Sequence, residues 1–456
     1  MTRPTSQKPA SPTPRRRKGV LRPGAKRGVA LLIVTVSIAL LTIMGTQFAY
    51  DSRVQFEMAV NARDEVRAYY LARSGVGLSR LLLSFQKQVN QIQLPPGLGD
   101  MLGMGGGAAG AGGQAQSQTL NIQLWKMARV DCHLLKGLVP EADTGAAAPR
   151  RAPTRLENSF DTEFPGVAEE QAQRNFGTFN GCFLTELADE EQKINVQRLN
   201  ALGGADAATV QALLDLMGDE RFEFLFEGED SNRVRVTPQD VIIAMKDWID
   251  PDENGDAINP QTLLTSPFVQ GFGDENGPYQ SFEPRYVAKN APFDSLQELY
   301  RVHGVNDRFM AAFGDRLTVF PDVNRNLNIN SDDPMLLYAA ILTVLDPVSP
   351  TGRLSPNLQN PLFVQELIET IRGARMFSFL AMSVQDFITI LQASGLTVNP
   401  AITNSSSVAR LVSDTSETFS IRSVGESGNV TKTLTAVVRN GAQDGTFGRL
   451  VYWREE

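Results

Sequence analysis

From residue 29 to residue 50 the chain carries no charge, and most of these 22 positions are Leu, Ile, Val or Ala. As a helix the run would reach about 33 Å, enough for the hydrocarbon core of a bilayer. Nine Lys or Arg residues precede it within residues 1–28, with no Asp or Glu among them. The positive-inside rule keeps such a cluster cytoplasmic and places the rest of the chain across the membrane. An ordinary secretory signal has a shorter apolar core and a small-residue cleavage site. Here the sequence runs on through Asp51-Ser52-Arg53 without a break. Val54, Met58, Ala62, Val66 and Tyr70 then recur at every fourth position, a helical spacing. One long helix is predicted, half in the membrane and half amphipathic, reaching to about Val89.

Composition limits the kind of body this helix can carry. At 456 residues, 42% hydrophobic and 21% charged, the chain has apolar mass for one large domain or several modest ones. A wholly disordered chain, a collagen repeat and a small disulfide scaffold are excluded. Nine of the 43 basic residues lie in residues 1–28, which leaves 34 basic against 51 acidic residues in the remainder. A body that acidic repels phosphate backbones, so nucleic-acid binding over the whole surface is disfavoured.

The junction Lys26-Arg27-Gly28-Val29-Ala30-Leu31-Leu32 is a basic, hydrophilic leader that ends in Gly and abuts the apolar helix directly. It resembles the type IV prepilin signal. The resemblance implies a dedicated peptidase cutting between Gly28 and Val29 on the cytoplasmic side, with methylation of the new amine. In that family most subunits carry Glu at the fifth mature position, where it neutralises the amine of a neighbour. A buried amine without a carboxylate is costly, so the pairing guides assembly. Counted from Val29, the fifth position is Ile33. Lack of that Glu is similar to the minor pseudopilin family of type II secretion called general secretion pathway protein K, whose members sit at the filament tip.

Later segments resemble the same family. Residues 176–200, FGTFNGCFLTELADEEQKINVQRLN, read as a strand, an acidic turn and a Lys-Ile-Asn-Val step. Residues 286–299, YVAKNAPFDSLQEL, are similar to the family's Tyr, Lys-Asn, Phe and Glu-Leu run, and Leu327-Asn328-Ile329-Asn330 echoes its second Asn-rich turn. Helical blocks are expected at 206–217, 238–249, 295–302, 334–344 and 362–391. Three closing strands are expected at 418–421, 430–438 and 447–453, with Gly425 and Gly428 supplying turns. The family likeness implies an α+β fold: a pilin-like antiparallel sheet behind a long N-terminal helix, with a large helical insertion in two SAM-like parts. The expected boundaries are leader 1–28, membrane helix 29–50, amphipathic extension 51–90, a Gly/Ala-rich loop and linker region 91–156, pilin-like strands 157–198, first helical domain 199–320, second helical domain 321–400 and closing strands 401–456. Within the loop region, 95–116 and 141–154 read as mobile insertions with no assigned function.

The strongest candidate chemistry is Asp250-Pro251-Asp252-Glu253-Asn254-Gly255-Asp256. Oxygen ligands at alternate positions and a turn-forming Gly match the opening of a calcium loop. The match then fails, because the twelfth position is Gln261 rather than Glu. The missing ligands are sought in Asp274, Glu275 or Asn276, and the family likeness implies calcium held by Asp250, Asp252, Asn254, Asp256, Asp274 and Glu275. The plain alternative is a pair of Asp/Asn-rich turns held by their own hydrogen bonds. Cys132 and Cys182 are the only cysteines, and a disulfide and two buried thiols remain equally open. His133 and His303 are the only histidines. No nucleophile elbow, phosphate loop or zinc-protease helix appears, so hydrolase chemistry has little support. Residues 293–309 also resemble a helix-hairpin-helix, but acids match its bases, and helical packing is the better reading.

The resemblance thus implies a non-catalytic, single-pass protein of a Gram-negative inner membrane with its body in the periplasm. Its implied partners are minor pseudopilins I and J, bundled along the stripe from Val54 to Val76. The other filament pseudopilins, the prepilin peptidase, the inner-membrane secretion platform, membrane lipid, and secreted cargo or the secretin complete the set, with no nucleic acid. A signal-anchored periplasmic enzyme or sensor, or a DNA-uptake factor, is the alternative.

Overall fold

The computed structural model describes residues 25–90, 122–127, 129–132, 181–201, 205–228, 235–263, 266–375, 380–400, 411–441 and 443–456. Residues 1–24, both insertions, His133 and residues 176–180 lie outside them. By compactness the chain divides into two units, Met1–Arg63 and Asp64–Glu456.

Helix α1 runs from Ala25 to Val89 without interruption. In the first unit every residue from Gly28 to Arg53 is exposed. Thr35, Thr42 and Thr46 donate their hydroxyls to the carbonyls of Leu32, Ile38 and Ile43 at 2.9, 2.7 and 2.9 Å. These bonds hide the polar atoms of an otherwise greasy surface. Among the described residues this is the one helix long and apolar enough to cross a membrane, by length and composition.

In the second unit the same helix buries Ala68, Leu71, Ala72, Val76 and Leu83, at spacings of three, four and seven that keep them on one face. They pack on a five-stranded antiparallel sheet in the order β1-β2-β5-β6-β7. Its strands are β1 (Val130–Asp131), β2 (Cys182–Asp189), β5 (Thr418–Ser427), β6 (Val430–Arg439) and β7 (Arg449–Glu455), β3 and β4 belonging to the insertion. Phe419, Ile421, Leu434, Ala436 and Val438 face the helix, and Phe183 adds a second cluster with Leu71. The opposite face is exposed where Glu186 pairs with Arg422, and covered at Val437 and Tyr452, where Phe320 packs. A disulfide joins Cys132 to Cys182, with Cα atoms 5.4 Å apart. This is an α+β, pilin-like arrangement.

Several local expectations change here. Gly425 lies inside β5 rather than in a turn, because a Cβ there would collide with the backbone of Ala68 in α1. Only Gly428, at φ +63, turns the β5–β6 hairpin. The last strand starts at Arg449, not at residue 447. Phe447 and Gly448 form a turn whose carbonyls accept from the Arg80 guanidinium at 3.0 and 3.1 Å. The segment expected as a helix at 295–302 is a 3₁₀ turn, Leu296–Arg301, with i→i+3 bonds such as Val302 N–H to the Leu299 carbonyl. Finally, the stripe at Met58, Val66 and Tyr70 stays exposed. Val76, counted on that stripe, is only 3% exposed and belongs to the core between helix and sheet.

Between β2 and β5 the chain inserts two helical parts. The first holds α2 (Ala205–Met217), α3 (Pro238–Ile249), the hairpin β3 (Asn254–Ile258) and β4 (Phe268–Asp274), and α4 (Asp307–Phe313). Leu213, Met245, Trp248, Phe309 and Phe313 centre its core. The hairpin-like turn at Gly304 (φ +84) faces inward against Val236 and Val241, so it packs the core. The second part holds α5 (Pro334–Val344), α6 (Pro361–Ala374) and α7 (Val384–Ala393) around Leu337, Ile341, Ile371, Phe387 and Leu391.

The turn Asp189–Gln192 ties these parts to the sheet. Glu191 accepts from the amides of Glu417 and Thr418, both at 3.0 Å, and pairs with Arg325 at 2.8 Å.

Candidate cation site

Helix α3 starts on a capping box: Thr237 and Asp240 exchange bonds at 2.8 and 3.3 Å, with Pro238 in the first turn. Its far end is loaded with acids. Asp247 and Asp250 lie three residues apart and so share a face, next to the negative pole of the helix, where carboxylates are disfavoured. Asp256 comes back along β3 to join them. Ligand oxygens of Asp247, Asp250 and Asp256 all lie within 4.8 Å of one another. Lys246 is the cation in reach, with Nζ 2.6 Å from Asp250 Oδ2 and 3.3 Å from Asp256 Oδ2. The Asp256 amide donates to Asp247 Oδ1 at 3.0 Å.

The second loop reaches the same place from β4. Glu275 is 4% exposed, and the Asn290 side-chain amide is the one donor that approaches its carboxylate, short of good hydrogen-bond geometry; Asp250 Oδ1 is buried without a donor. The side-chain amide of Asn290, a residue in left-handed backbone at φ 51, donates to the Asp252 carbonyl at 2.6 Å and ties its segment to the first loop. A Cβ at Gly271 would stand 2.7 Å from the Gly255 carbonyl, so the close approach of β3 and β4 requires glycine there.

Electrostatics follow the crowding. Burial pushes Asp247 up to about 7; its backbone bond pulls the other way, and the charges of Asp256, Asp250 and Glu275 add to the rise. Burial likewise raises Asp256 and Glu275. Burial would lower Lys246, but its bonds to Asp250 and Asp256 leave it net raised. Clefts of about 400 and 260 Å³ open on either side and share Asp247, Glu275 and Pro278.

Of the six residues expected from sequence, Asp250 and Asp256 belong to the cluster and Glu275 sits beside it. The others point elsewhere. Asp252 Oδ1 accepts the amide of Asn254 at 2.9 Å and its side chain at 3.1 Å. Asp274 is exposed and accepts the Asn276 amide at 2.9 Å. These are Asx turns satisfied by their own backbone. Sequence reading misses Asp247, which belongs to the helix rather than the loop; its i, i+3 spacing from Asp250 is the available signal. The donors are all hard oxygens, and two buried carboxylates keep unpartnered atoms, so the residues fit a calcium-like cation. Such an ion would neutralise the acids and tie β4 to α3.

No protein-family model matches the chain. No curated protein matches it either. Among solved structures it is similar to a chain of the GspK-GspI-GspJ complex from the enterotoxigenic Escherichia coli Type 2 Secretion System, at 16% identity. That match covers 62% of this chain and 83% of the other, with a TM-score of 0.38, too low to carry an argument.

Proposed function

We propose that this chain is a non-catalytic minor pseudopilin of type II secretion, the K-type subunit that stands first in the filament. The observation that carries the reading is the construction of α1. An exposed, charge-free stretch opens at Gly28-Val29, and the same helix later becomes one wall of an antiparallel sheet core. A peptidase cut after Gly28 leaves that stretch in the bilayer of a Gram-negative inner membrane, with the body in the periplasm. Ile33 in place of Glu then means that this subunit has no amine above it to neutralise.

Pseudopilins I and J are the partners for the exposed stripe of Met58, Val66 and Tyr70. The helical insertion caps the tip, where it blocks further addition and meets cargo or the secretin. Calcium at Asp247, Asp250, Asp256 and Glu275 stiffens the first helical part by binding the folded state alone.

Val66, 55% exposed, is the residue to change. Val66→Glu is expected to abolish co-purification with I and J from detergent extracts while the melting temperature stays unchanged. Undiminished co-purification contradicts the reading. Val76→Glu is no substitute, because a charge in that core unfolds the chain.

A further inference from the structure

Phe272 is fully exposed, and no other large apolar side chain among the described residues is more so, the membrane stretch included. The register of the β3–β4 hairpin puts it there. Asn254 pairs with Asp274 and Asp256 with Gln270, so Gly255 alone faces Gly271, Phe272 and Gly273. The two extra residues on β4 make a bulge, and a bulge re-aims a side chain. Three of the four residues are Gly. At Gly255 a Cβ would stand 3.1 Å from the Gly273 carbonyl, and at Gly271 it would stand 2.7 Å from the Gly255 carbonyl. Those glycines suffice to close the bulge, and the ring of Phe272 adds nothing to the core. Single exposed apolar side chains are ordinary on a protein surface. One lifted on a glycine-built bulge is a placed feature.

The surroundings decide what it can meet. Phe272 and the exposed Val269 line the cleft of about 400 Å³ that also opens on Asp247, Asp256, Asp274 and Glu275. Residues 246–276 hold seven acids and one base, Lys246, a formal charge of −6; a divalent cation in the cluster would leave −4. Asp252, Glu253 and Asp274 are exposed, and Glu253 adjoins the Asn254 that pairs with Asp274. Such a rim repels an anionic lipid surface. It favours a protein that brings Lys or Arg around an apolar hollow. One aromatic anchor with a charged ring falls well short of a permanent interface. It suits a partner that arrives and leaves.

We propose that Phe272 is the docking anchor for a transient protein partner whose surface offers an apolar pocket rimmed by Lys or Arg. Resting on the pseudopilin reading above, that partner is a protein in the course of secretion, since pseudopilins I and J take the stripe on α1. The ring fills the pocket, and Glu253 and Asp274 steer the approach and fix its orientation.

The test places p-benzoylphenylalanine at position 272 of the full chain, in the bacterium that makes it, and irradiates during export. A crosslink to a secreted protein is expected, mapped by mass spectrometry to apolar residues with Lys or Arg alongside. Glu253→Lys together with Asp274→Lys should cut its yield about tenfold. The same photoreactive group at Val348, 77% exposed in the second helical part, should not form it. Phe272→Ser should slow export while the melting temperature and co-purification with I and J stay unchanged. Crosslinking to lipid, to a second copy of this chain, to a fixed component of the apparatus or to nothing overturns the proposal. A yield indifferent to the charge reversals, or export indifferent to Phe272→Ser, overturns it too. None of these failures touches the Val66→Glu result, so the pseudopilin reading stands or falls separately.

Discussion

The two helical parts close their acidic turns in different ways. In the second, Asp333 caps α5 by accepting the Met335 amide at 2.8 Å and pairs with Arg316 at 2.7 Å. Asp346 accepts the amides of Val348 and Ser349, and Ser383 and Asp386 cap α7 between them. Arg375 spreads over the carbonyls of Ile329, Asn330 and Ser331 and the Asp332 carboxylate. In the first part, Asp247, Asp250 and Asp256 cluster, Lys246 pairs with Asp250 and Asp256, and Glu275 lies buried nearby, with one oxygen of Asp250 lacking a donor. A chain can spend its own N–H groups on its acids, as the second part does. The first part instead sets its acids against a single lysine and leaves buried oxygens unsatisfied.

The largest expected effect tests the self-sufficient side. Phe387 is fully buried in the second core, and Phe387→Ala should cost about 3–5 kcal/mol. Urea unfolding should return the same loss in calcium and in chelator; a calcium-dependent loss would show that the second part also leans on the cation. Next comes the cation itself. Calcium at a hundredfold over its dissociation constant should add about 2.7 kcal/mol over chelator. Hydrogen exchange should report the gain in α3 and not in α6 or α7, and Asp247→Asn and Glu275→Gln should erase most of it. Indifference to chelator would dissolve the contrast.

A smaller effect sharpens the comparison at the junction, where burial is the main influence on an acid's proton. Burial pushes Asp189 to about 7 from an ordinary value of 3.8; a Ser416 bond lowers it, and the charge of Glu191 raises it further. Between those values the folded chain holds a proton that the unfolded chain has lost. The stabilisation is full below about pH 4 and is lost as pH rises through about 7. Asp189→Asn should therefore gain in melting temperature on the wild type between pH 5 and pH 8. A gain on acidification instead would reverse the assignment.

How much of the molecule is legible in its sequence depends on range. The charge-free run and the alternation in residues 418–453 are local patterns, and they suffice for the long helix and the closing strands. Gly425 reads as a turn because nothing near it in sequence reveals that α1 passes over β5. Val76 is misplaced for a related reason: positions four apart drift around a helix, so one stripe cannot tell sheet from partner. In the acidic loop the residues with ideal spacing, Asp252 and Asn254, spend their side chains on each other. Asp247 is hidden because it belongs to a helix. What separates buried Glu275 from exposed Asp274 is the fold around them, and no local spacing displays that.

The most direct test of the central claim is the mass of the mature N-terminus after co-expression with a prepilin peptidase. The account predicts a chain beginning at Val29, with the apolar helix retained and the amine methylated, and predicts that Gly28→Leu prevents this. A mature chain that keeps residues 1–28, or one cut beyond residue 50, would contradict it.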